Sequence, residues 1–206
     1  LHTDKHRTAD EYGVLISSLL TGAALPPVTA VAISCVVPTM NRLLDDVSQR
    51  YLKVSPLFVG PGIKTGLPIL YDKPQEVGAD RVVNAIAAYE RTQDTTIIVD
   101  FGTATTFDYI SQKGEYVGGI IAPGPDTAST ALFERAAKLS PVEYAFPKHV
   151  VGRNTVHAIQ SGLTYGYVAL VDGLVARIQA ENKVRARVIA TGGFAALLAP
   201  HSDTIE

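Results

Sequence analysis

Apolar and polar residues follow one another along the chain in blocks typical of alternating helices and strands. Thr8–Glu11 has the spacing of a capping box, which predicts a helix that ends near Gly22. Val28–Val37 is apolar and rich in β-branched residues, which predicts a buried strand. A helix with its inner stripe at Leu43–Val47 and a short strand at Leu57–Val59 complete this part of the chain.

The stretch after Pro74 predicts an amphipathic helix that ends near Glu90. At ~100° per residue, its apolar stripe consists of Val82, Ile86 and Tyr89. Its polar group consists of Asp80, Arg81 and Asn84. The polar side chains are therefore concentrated at the amino-terminal end of the helix.

Three strands joined by tight turns are predicted between Thr95 and Ile121. Helical segments follow at Thr130–Lys138 and Thr155–Glu181, and a last strand at Arg187–Ala190 enters a glycine turn and another helix. Because strands are followed by helices twice over, the pattern predicts an α/β fold with two lobes.

The length and composition agree with two such lobes. The chain has 206 residues, and we place the boundary at Gln93-Asp94, with an N-terminal lobe at 1–93 and a C-terminal lobe at 94–206. A hydrophobic fraction of 47% and a charged fraction of 18% are typical of globular proteins and exclude disorder.

Charge and cysteine content exclude several classes of function. The net charge of −2 provides no positive field for nucleic acid or an anionic membrane, so we expect neither as a partner. Cys35 is the single cysteine, which excludes an internal disulfide. No apolar run reaches the ~18 residues that a membrane helix needs, and we expect a cytoplasmic protein.

The strongest candidate for chemistry is Asp100–Thr106, in which a buried strand ends in a carboxylate, a glycine turn and a run of hydroxyls. Glycine lets the backbone approach a phosphate, and N–H and hydroxyl groups donate to its oxygens. A carboxylate beside the turn can hold a cation that offsets phosphate charge. The structural alternative is a hairpin whose polar side chains only satisfy turn donors.

A second candidate is Gly78–Arg81, at the start of the amphipathic helix. A helix N-terminus attracts anions, Arg81 can clamp a carboxylate, and Asp80 can accept a proton from a hydroxyl nucleophile. The structural alternative is an aspartate that stabilises the helix dipole, with Arg81 as an intrahelical or surface partner. Thr191–Gly193 is a third, weaker candidate, because its small residues fit a flat purine or a phosphate.

These motifs occur in one order along the chain and resemble those of type III pantothenate kinases, the Bvg accessory factor-like family. The resemblance covers nearly the whole chain. It rests on Gly60–Gly66, Tyr71-Asp72, Gly78–Arg81, Asp100–Thr106, Gly118-Gly119 with Pro123-Gly124, Asn154-Thr155 and Thr191–Gly193.

The resemblance implies a fold of the acetate and sugar kinase/Hsp70/actin type, with two RNase H-like lobes and a cleft between them. It implies transfer of the ATP γ-phosphoryl group to the primary hydroxyl of pantothenate, the first step of coenzyme A synthesis. It also implies a cytoplasmic homodimer that needs a monovalent cation, K⁺ or NH₄⁺, and Mg²⁺ with the nucleotide.

The resemblance also implies roles for individual residues. Asp80 matches the general base, and its motif neighbours Gly78, Ala79 and Arg81 match pantothenate-binding positions. Tyr71 and Thr155 match further pantothenate contacts. Asp100 matches the monovalent-cation ligand, and Thr103 matches an ATP contact. We expect Asp80 and Asp100 to line opposite walls of one cleft.

One feature of the family is not found in the sequence. The family opens with a strand and an Asp-x-Gly-Asn-Thr phosphate loop, and we expect the protein to carry this loop ahead of Leu1. Two alternative functions stay open from the residues: a non-catalytic regulatory protein of the same fold, and a kinase for another small hydroxyl compound.

Overall fold

The structure is a computed structural model that describes residues 3–4, 6–60 and 63–206. Pro61 and Gly62, in the predicted Gly60–Gly66 loop, lie outside the described residues. The described residues form two compact units. The first contains the chain up to Thr65 together with Lys73–Val83, and the second contains Gly66–Asp72 and Asn84–Glu206. The lobe boundary near residue 93 stays a prediction.

In the first unit, α1 (Ala9–Gly22) begins at the predicted capping box. The Thr8 hydroxyl accepts the Glu11 amide at 3.2 Å, and the Glu11 carboxylate accepts the Thr8 amide at 2.6 Å. These hydrogen bonds lower the pKa of Glu11 below its usual value. α2 (Asn41–Val47) follows a 3₁₀ turn at Pro38–Met40 and continues as a π-helical turn at Ser48–Leu52.

The two strands of this unit, β1 (Ala32–Ser34) and β2 (Leu57–Val59), pair in parallel. β2 has the predicted bounds, but the long strand predicted at Val28–Val37 is wrong in extent. Only three of its residues find a partner, because β2 is itself three residues long and follows Pro56. A strand without a neighbour to accept its hydrogen bonds does not form.

The second unit is built on a four-stranded sheet with the order β5-β4-β3-β6. β3 (Thr96–Phe101), β4 (Ala104–Ile110) and β5 (Tyr116–Pro123) are antiparallel neighbours, as the three predicted strands require. β6 (Arg187–Gly192) pairs with β3 in parallel.

One face of this sheet carries the core of the second unit. α5 (Thr155–Asn182) packs against it with Val171 and Val175, and β3 and β4 contribute Val99 and Phe107. α4 (Pro125–Arg135) begins five residues earlier than predicted, because Gly124 serves as its N-cap and proline is tolerated in a first helical turn. A short α6 (Ala195–Leu198) follows β6.

α3 (Ala79–Thr92) begins in the first unit and ends in the second. The predicted apolar stripe is partly wrong, since the most buried apolar residues are Val82, Ala85 and Ala88. In the second unit, α3 contacts β3 through Asn84 and Thr92, which bond to Asp100 and Thr96, and Tyr89 lies against Gly114. Among the described residues, no helix is both long and apolar enough to cross a membrane.

Candidate active site

The carboxyl ends of β3 and β6 meet at one edge of the second unit's sheet, because the two strands are parallel. Asp100 lies opposite Thr191 and Phe101 lies opposite Gly192. The chain turns back immediately after β3, and the Gly102 amide donates to the Ala104 carbonyl at 3.1 Å. The predicted Asp-Phe-Gly-Thr turn therefore stands beside the predicted Thr-Gly-Gly turn.

Gly192 brings its backbone against two oxygen atoms of the Asp-Phe-Gly-Thr turn. Its φ is +91°, which a residue with a side chain rarely adopts. A Cβ atom there would lie 2.6 Å from both Asp100 Oδ1 and the Phe101 carbonyl oxygen. A carboxylate oxygen and a carbonyl oxygen therefore pack directly against the backbone of Gly192, where a side chain would overlap them.

Asp100 is half-buried and held from the opposite side by α3. Asn84 Nδ2 donates to Asp100 Oδ2 at 2.8 Å, so one carboxylate oxygen is fixed by the amide and the other faces Gly192. Oxygen donors of this kind suit an alkali or ammonium ion. The oxygen donors at this turn are thus of the type that a monovalent cation prefers, and within the described ranges no group of three or more His, Cys, Asp or Glu could hold a metal.

The start of α4 is fastened to the same turn. The Thr103 carbonyl accepts the Gly124 amide at 3.0 Å and the Thr127 hydroxyl at 2.6 Å. A Cβ on Gly124 would overlap the Gly102 carbonyl, so only glycine permits this approach. The exposed Thr103 therefore lies next to a helix N-terminus, where backbone N–H groups attract anions such as phosphate.

The Gly78–Arg81 motif lies in the first unit, where α3 begins at Ala79, directly after Gly78, as predicted. Asp80 is exposed, and its Oδ1 accepts the Arg81 amide at 2.8 Å. A Cβ on Gly78 would lie 2.5 Å from that oxygen, so the carboxylate folds back over the glycine. Arg81 is only 7% exposed, which excludes the alternative in which it is a surface partner.

Tyr71 lies in the second unit and is half-buried. Its ring meets Tyr116 edge to face, with 6.4 Å between ring centroids. It also lies over Gly118, where an added Cβ would be 3.9 Å from the ring. The Tyr71 ring therefore lies within contact range of β5 at Gly118.

Thr155 is the exposed first residue of α5, capped by Asn154, whose side chain accepts the His157 amide at 2.8 Å. It lines a mainly apolar cavity of about 730 Å³ together with Leu132, Ile159 and Tyr167. Tyr167 donates to the Pro123 carbonyl at 3.0 Å, and burial raises the pKa of its hydroxyl. Thr155 lines this cavity, whereas Tyr71 lies against Tyr116 and Gly118.

The predicted site residues divide between the two units. Asp100, Thr103, Tyr71 and Thr155 lie in the second, whereas Gly78, Ala79, Asp80 and Arg81 lie in the first. The expectation that Asp80 and Asp100 line opposite walls of one cleft stays a prediction.

Sequence reasoning did not single out the bond between Asn84 and Asp100 or the role of Thr127. Asn84 carries a detectable signal, because it follows Asp80 by one helical turn on a polar face. The sequence carries no such signal for Thr127, because the approach of α4 to the Thr103 carbonyl depends on tertiary structure.

Comparison with known proteins gives one consistent result. The family model for type III pantothenate kinase matches residues 1–177. The type III pantothenate kinase of Myxococcus xanthus is 55% identical over 208 aligned residues, covering 100% of this chain and 81% of the relative. The type III pantothenate kinase of Geobacter sulfurreducens is 57% identical over 206 aligned residues, which cover 99% of this chain and 81% of the relative.

A solved structure, that of a Baf family transcriptional activator from Campylobacter jejuni, matches with a TM-score of 0.57. It is 21% identical in sequence, and the match covers 92% of this chain and 79% of the other. At this identity the likeness concerns the fold alone.

Proposed function

The chain belongs to the type III pantothenate kinase family, and we propose that it transfers the γ-phosphoryl group of ATP to the primary hydroxyl of pantothenate. Its fold is of the acetate and sugar kinase/Hsp70/actin type. The observation that carries the proposal is the similarity to type III pantothenate kinases, which extends over 99–100% of the chain. The product, 4'-phosphopantothenate, is the first intermediate of coenzyme A biosynthesis.

In this proposal Asp80 is the catalytic residue at the acceptor hydroxyl. The hydroxyl oxygen forms a bond to the γ-phosphorus, the bond from that phosphorus to the ADP oxygen breaks, and the hydroxyl proton passes to the Asp80 carboxylate. The exposure of Asp80 and the bond from the Arg81 amide support this role, because the carboxylate is accessible and oriented. Gly78, Ala79 and Arg81 bind pantothenate beside it.

We assign the binding of ATP, the phosphoryl donor, to the Asp-Phe-Gly-Thr turn. Thr103 contacts ATP, and Mg²⁺ accompanies the nucleotide. Asp100 holds the monovalent cation, K⁺ or NH₄⁺, which supplies positive charge near the phosphates. The proximity of the Asp100 carboxylate to the Phe101 carbonyl oxygen, two oxygen donors beside Gly192, supports the cation assignment. Phosphoryl transfer needs mainly positioning and charge neutralisation, which such a turn provides.

Tyr71 and Thr155 complete the proposed pantothenate contacts, and we propose a homodimer. Leu132, which lines the same cavity as Thr155, is exposed, and so are Val150, Val151 and Val156, which are close in sequence to the lining residues Gly152 and Thr155. An apolar patch of this kind is typical of a protein interface. Because the reaction uses ATP, we place the protein in the cytoplasm.

The first test is turnover of the full-length protein. We expect ADP release only when pantothenate, ATP with Mg²⁺, and K⁺ or NH₄⁺ are all present. A panel of other small alcohols distinguishes a kinase of different specificity, which would release ADP with another acceptor. No release with any acceptor would favour the non-catalytic regulatory protein.

The second test is Asp80→Asn. We expect kcat to fall by ~10²–10⁴ with the KM for pantothenate little changed, because the amide keeps the shape but accepts no proton. Asp45→Asn is the matched control, since Asp45 is a half-buried aspartate of the same unit whose contacts are with Gln49. Normal turnover by Asp80→Asn would remove the general-base assignment.

A further inference from the structure

Two fully buried polar side chains in the second unit have no part in the proposed chemistry. Asp108 on β4 and Tyr116 on β5 are each 0% exposed. The Tyr116 hydroxyl donates to Asp108 Oδ1 at 2.6 Å, and the Thr106 hydroxyl lies 3.4 Å from Asp108 Oδ2. A carboxyl group is costly to bury, and so it is seldom kept in a sheet unless its hydrogen bonds fix something.

The backbone of Tyr116 forms hydrogen bonds with the segment that directly precedes Tyr71. The Leu70 amide donates to the Tyr116 carbonyl at 2.8 Å, and the Tyr116 amide donates to the Pro68 carbonyl at 2.8 Å. Ile69 forms a parallel bridge with Tyr116 between these two bonds. The chain just before Tyr71 is therefore attached to the sheet at Tyr116.

The Tyr116 side chain also meets the Tyr71 ring. The rings lie edge to face at an interplanar angle of 64°, and the Tyr71 ring also lies over Gly118. Such an edge contact orients a ring as well as attracting it. The bond from the Tyr116 hydroxyl to Asp108 fixes the Tyr116 ring, which in turn limits where the Tyr71 ring can lie.

We propose that Asp108 and Tyr116 are positioning residues for Tyr71, and that their hydrogen bond sets the affinity for pantothenate. The inference rests on the proposed function, in which Tyr71 contacts this substrate. Neither residue takes part in the phosphoryl transfer, so loss of their hydrogen bond should weaken pantothenate binding and leave the chemical step unchanged. The bond affects binding because it limits the orientation of the Tyr71 ring.

The test compares steady-state kinetics of the full-length protein with those of Tyr116→Phe, which keeps the ring and loses the hydroxyl. We expect the KM for pantothenate to rise by about 3- to 10-fold, the range that an aromatic contact contributes. We expect kcat and the KM for ATP to stay within about 2-fold of the wild type. Wild-type turnover in the same assay tests the proposed function itself, and the change in KM between wild type and variant tests the role of Tyr116.

Two variants of Asp108 separate positioning from simple stability. Asp108→Asn retains an acceptor for the Tyr116 hydroxyl, and we expect it to keep a nearly normal KM. Asp108→Leu removes the acceptor and should raise the KM as Tyr116→Phe does. If Asp108→Leu does not fold, Asp108→Asn and Tyr116→Phe still give the comparison. An equal rise in KM in the Asn and Leu variants would overturn the proposal.

A double variant tests whether the effect passes through Tyr71. In a Tyr71→Ala background, we expect Tyr116→Phe to cause no further change in the KM for pantothenate. The control is Tyr109→Phe, a neighbouring tyrosine of β4 that packs on the core face of the sheet, and its KM should be normal. A lower Tm with an unchanged KM for Tyr116→Phe would leave the pair as a structural bond only and contradict the inference.

Discussion

Gly192 and Gly193 are adjacent in sequence but meet different surroundings. Gly192 has a positive φ, and its backbone touches oxygens of Asp100 and Phe101. A Cβ on Gly193 would meet nothing within 4 Å. The first glycine is therefore required by the site and the second is not required by packing. The motif alone does not distinguish them, because the difference lies in what approaches from β3.

Gly192→Ala tests this difference. We expect the free energy of unfolding to fall by about 1–3 kcal/mol, because alanine is strained at this φ and its Cβ displaces Asp100 or the Phe101 carbonyl. The concentration of K⁺ that gives half-maximal activity should rise in the same variant. Urea denaturation and a K⁺ titration measure the two effects.

Gly193→Ala is the matched control for stability, and its free energy of unfolding should stay within about 0.5 kcal/mol of the wild type. Equal stability of the two alanine variants would show that the carboxylate and carbonyl do not crowd Gly192 as described.

At the scale of elements, α5 is joined to the end of the described chain by Asp172. Its carboxylate accepts the hydroxyls of Ser202 at 2.6 Å and Thr204 at 2.7 Å, and it also accepts the amides of Asp203 and Thr204. Partial burial acts to raise the pKa of Asp172, but the hydrogen bonds together outweigh it and lower the pKa below its usual value. The ionised carboxylate therefore stabilises the attachment.

The lowered pKa predicts a pH dependence of stability. A carboxyl group whose pKa is lower in the folded protein stabilises it above the unfolded pKa, ~3.9 for Asp, and loses this effect as pH falls through the folded value. We expect Asp172→Asn to lower Tm by about 2–4 °C at pH 7, a shift of roughly 1 kcal/mol in a domain of this size.

The difference between Asp172→Asn and wild type should shrink as the pH falls below ~4. Thermal melts from pH 3 to pH 8 measure it. Glu181→Gln, an exposed change on the same helix, should follow the wild type throughout. A Tm difference that is constant across this range would show that the carboxylate charge is not responsible.

At the scale of the whole molecule, we assign the interface of the proposed homodimer to the exposed valines around the start of α5. Val151 is 79% exposed, and Val150 and Val156, close to it in sequence, are also exposed. A charge at the centre of a dimer interface is strongly unfavourable when it is left unpaired. We expect Val151→Asp to shift the protein from dimer to monomer in light scattering at micromolar concentration.

Val14→Asp is the control for this experiment, since Val14 is 59% exposed on α1 in the first unit. It should leave the oligomeric state unchanged. A wild-type protein that is monomeric at all concentrations would refute the dimer, and a Val151→Asp protein that stays dimeric would place the interface elsewhere.

Much of the molecule was determined by local sequence. The capping box at Thr8–Glu11 begins α1, β2 has its predicted bounds, and α5 begins at the predicted Thr155. These elements were predictable because their signals, namely caps, turns and apolar periods, act between residues close in sequence. The ordered motifs likewise identified the family from the sequence alone.

Tertiary structure decided the features that depend on distant partners. β1 is short because β2 offers only three residues to pair with, and Arg81 is buried although it was assigned to a polar face. The attachment of Tyr71 to Tyr116 joins residues 45 positions apart along the chain, as counted from their numbers. Sequence patterns report which face of an element is apolar, whereas the neighbour that covers that face is chosen only when the whole chain packs.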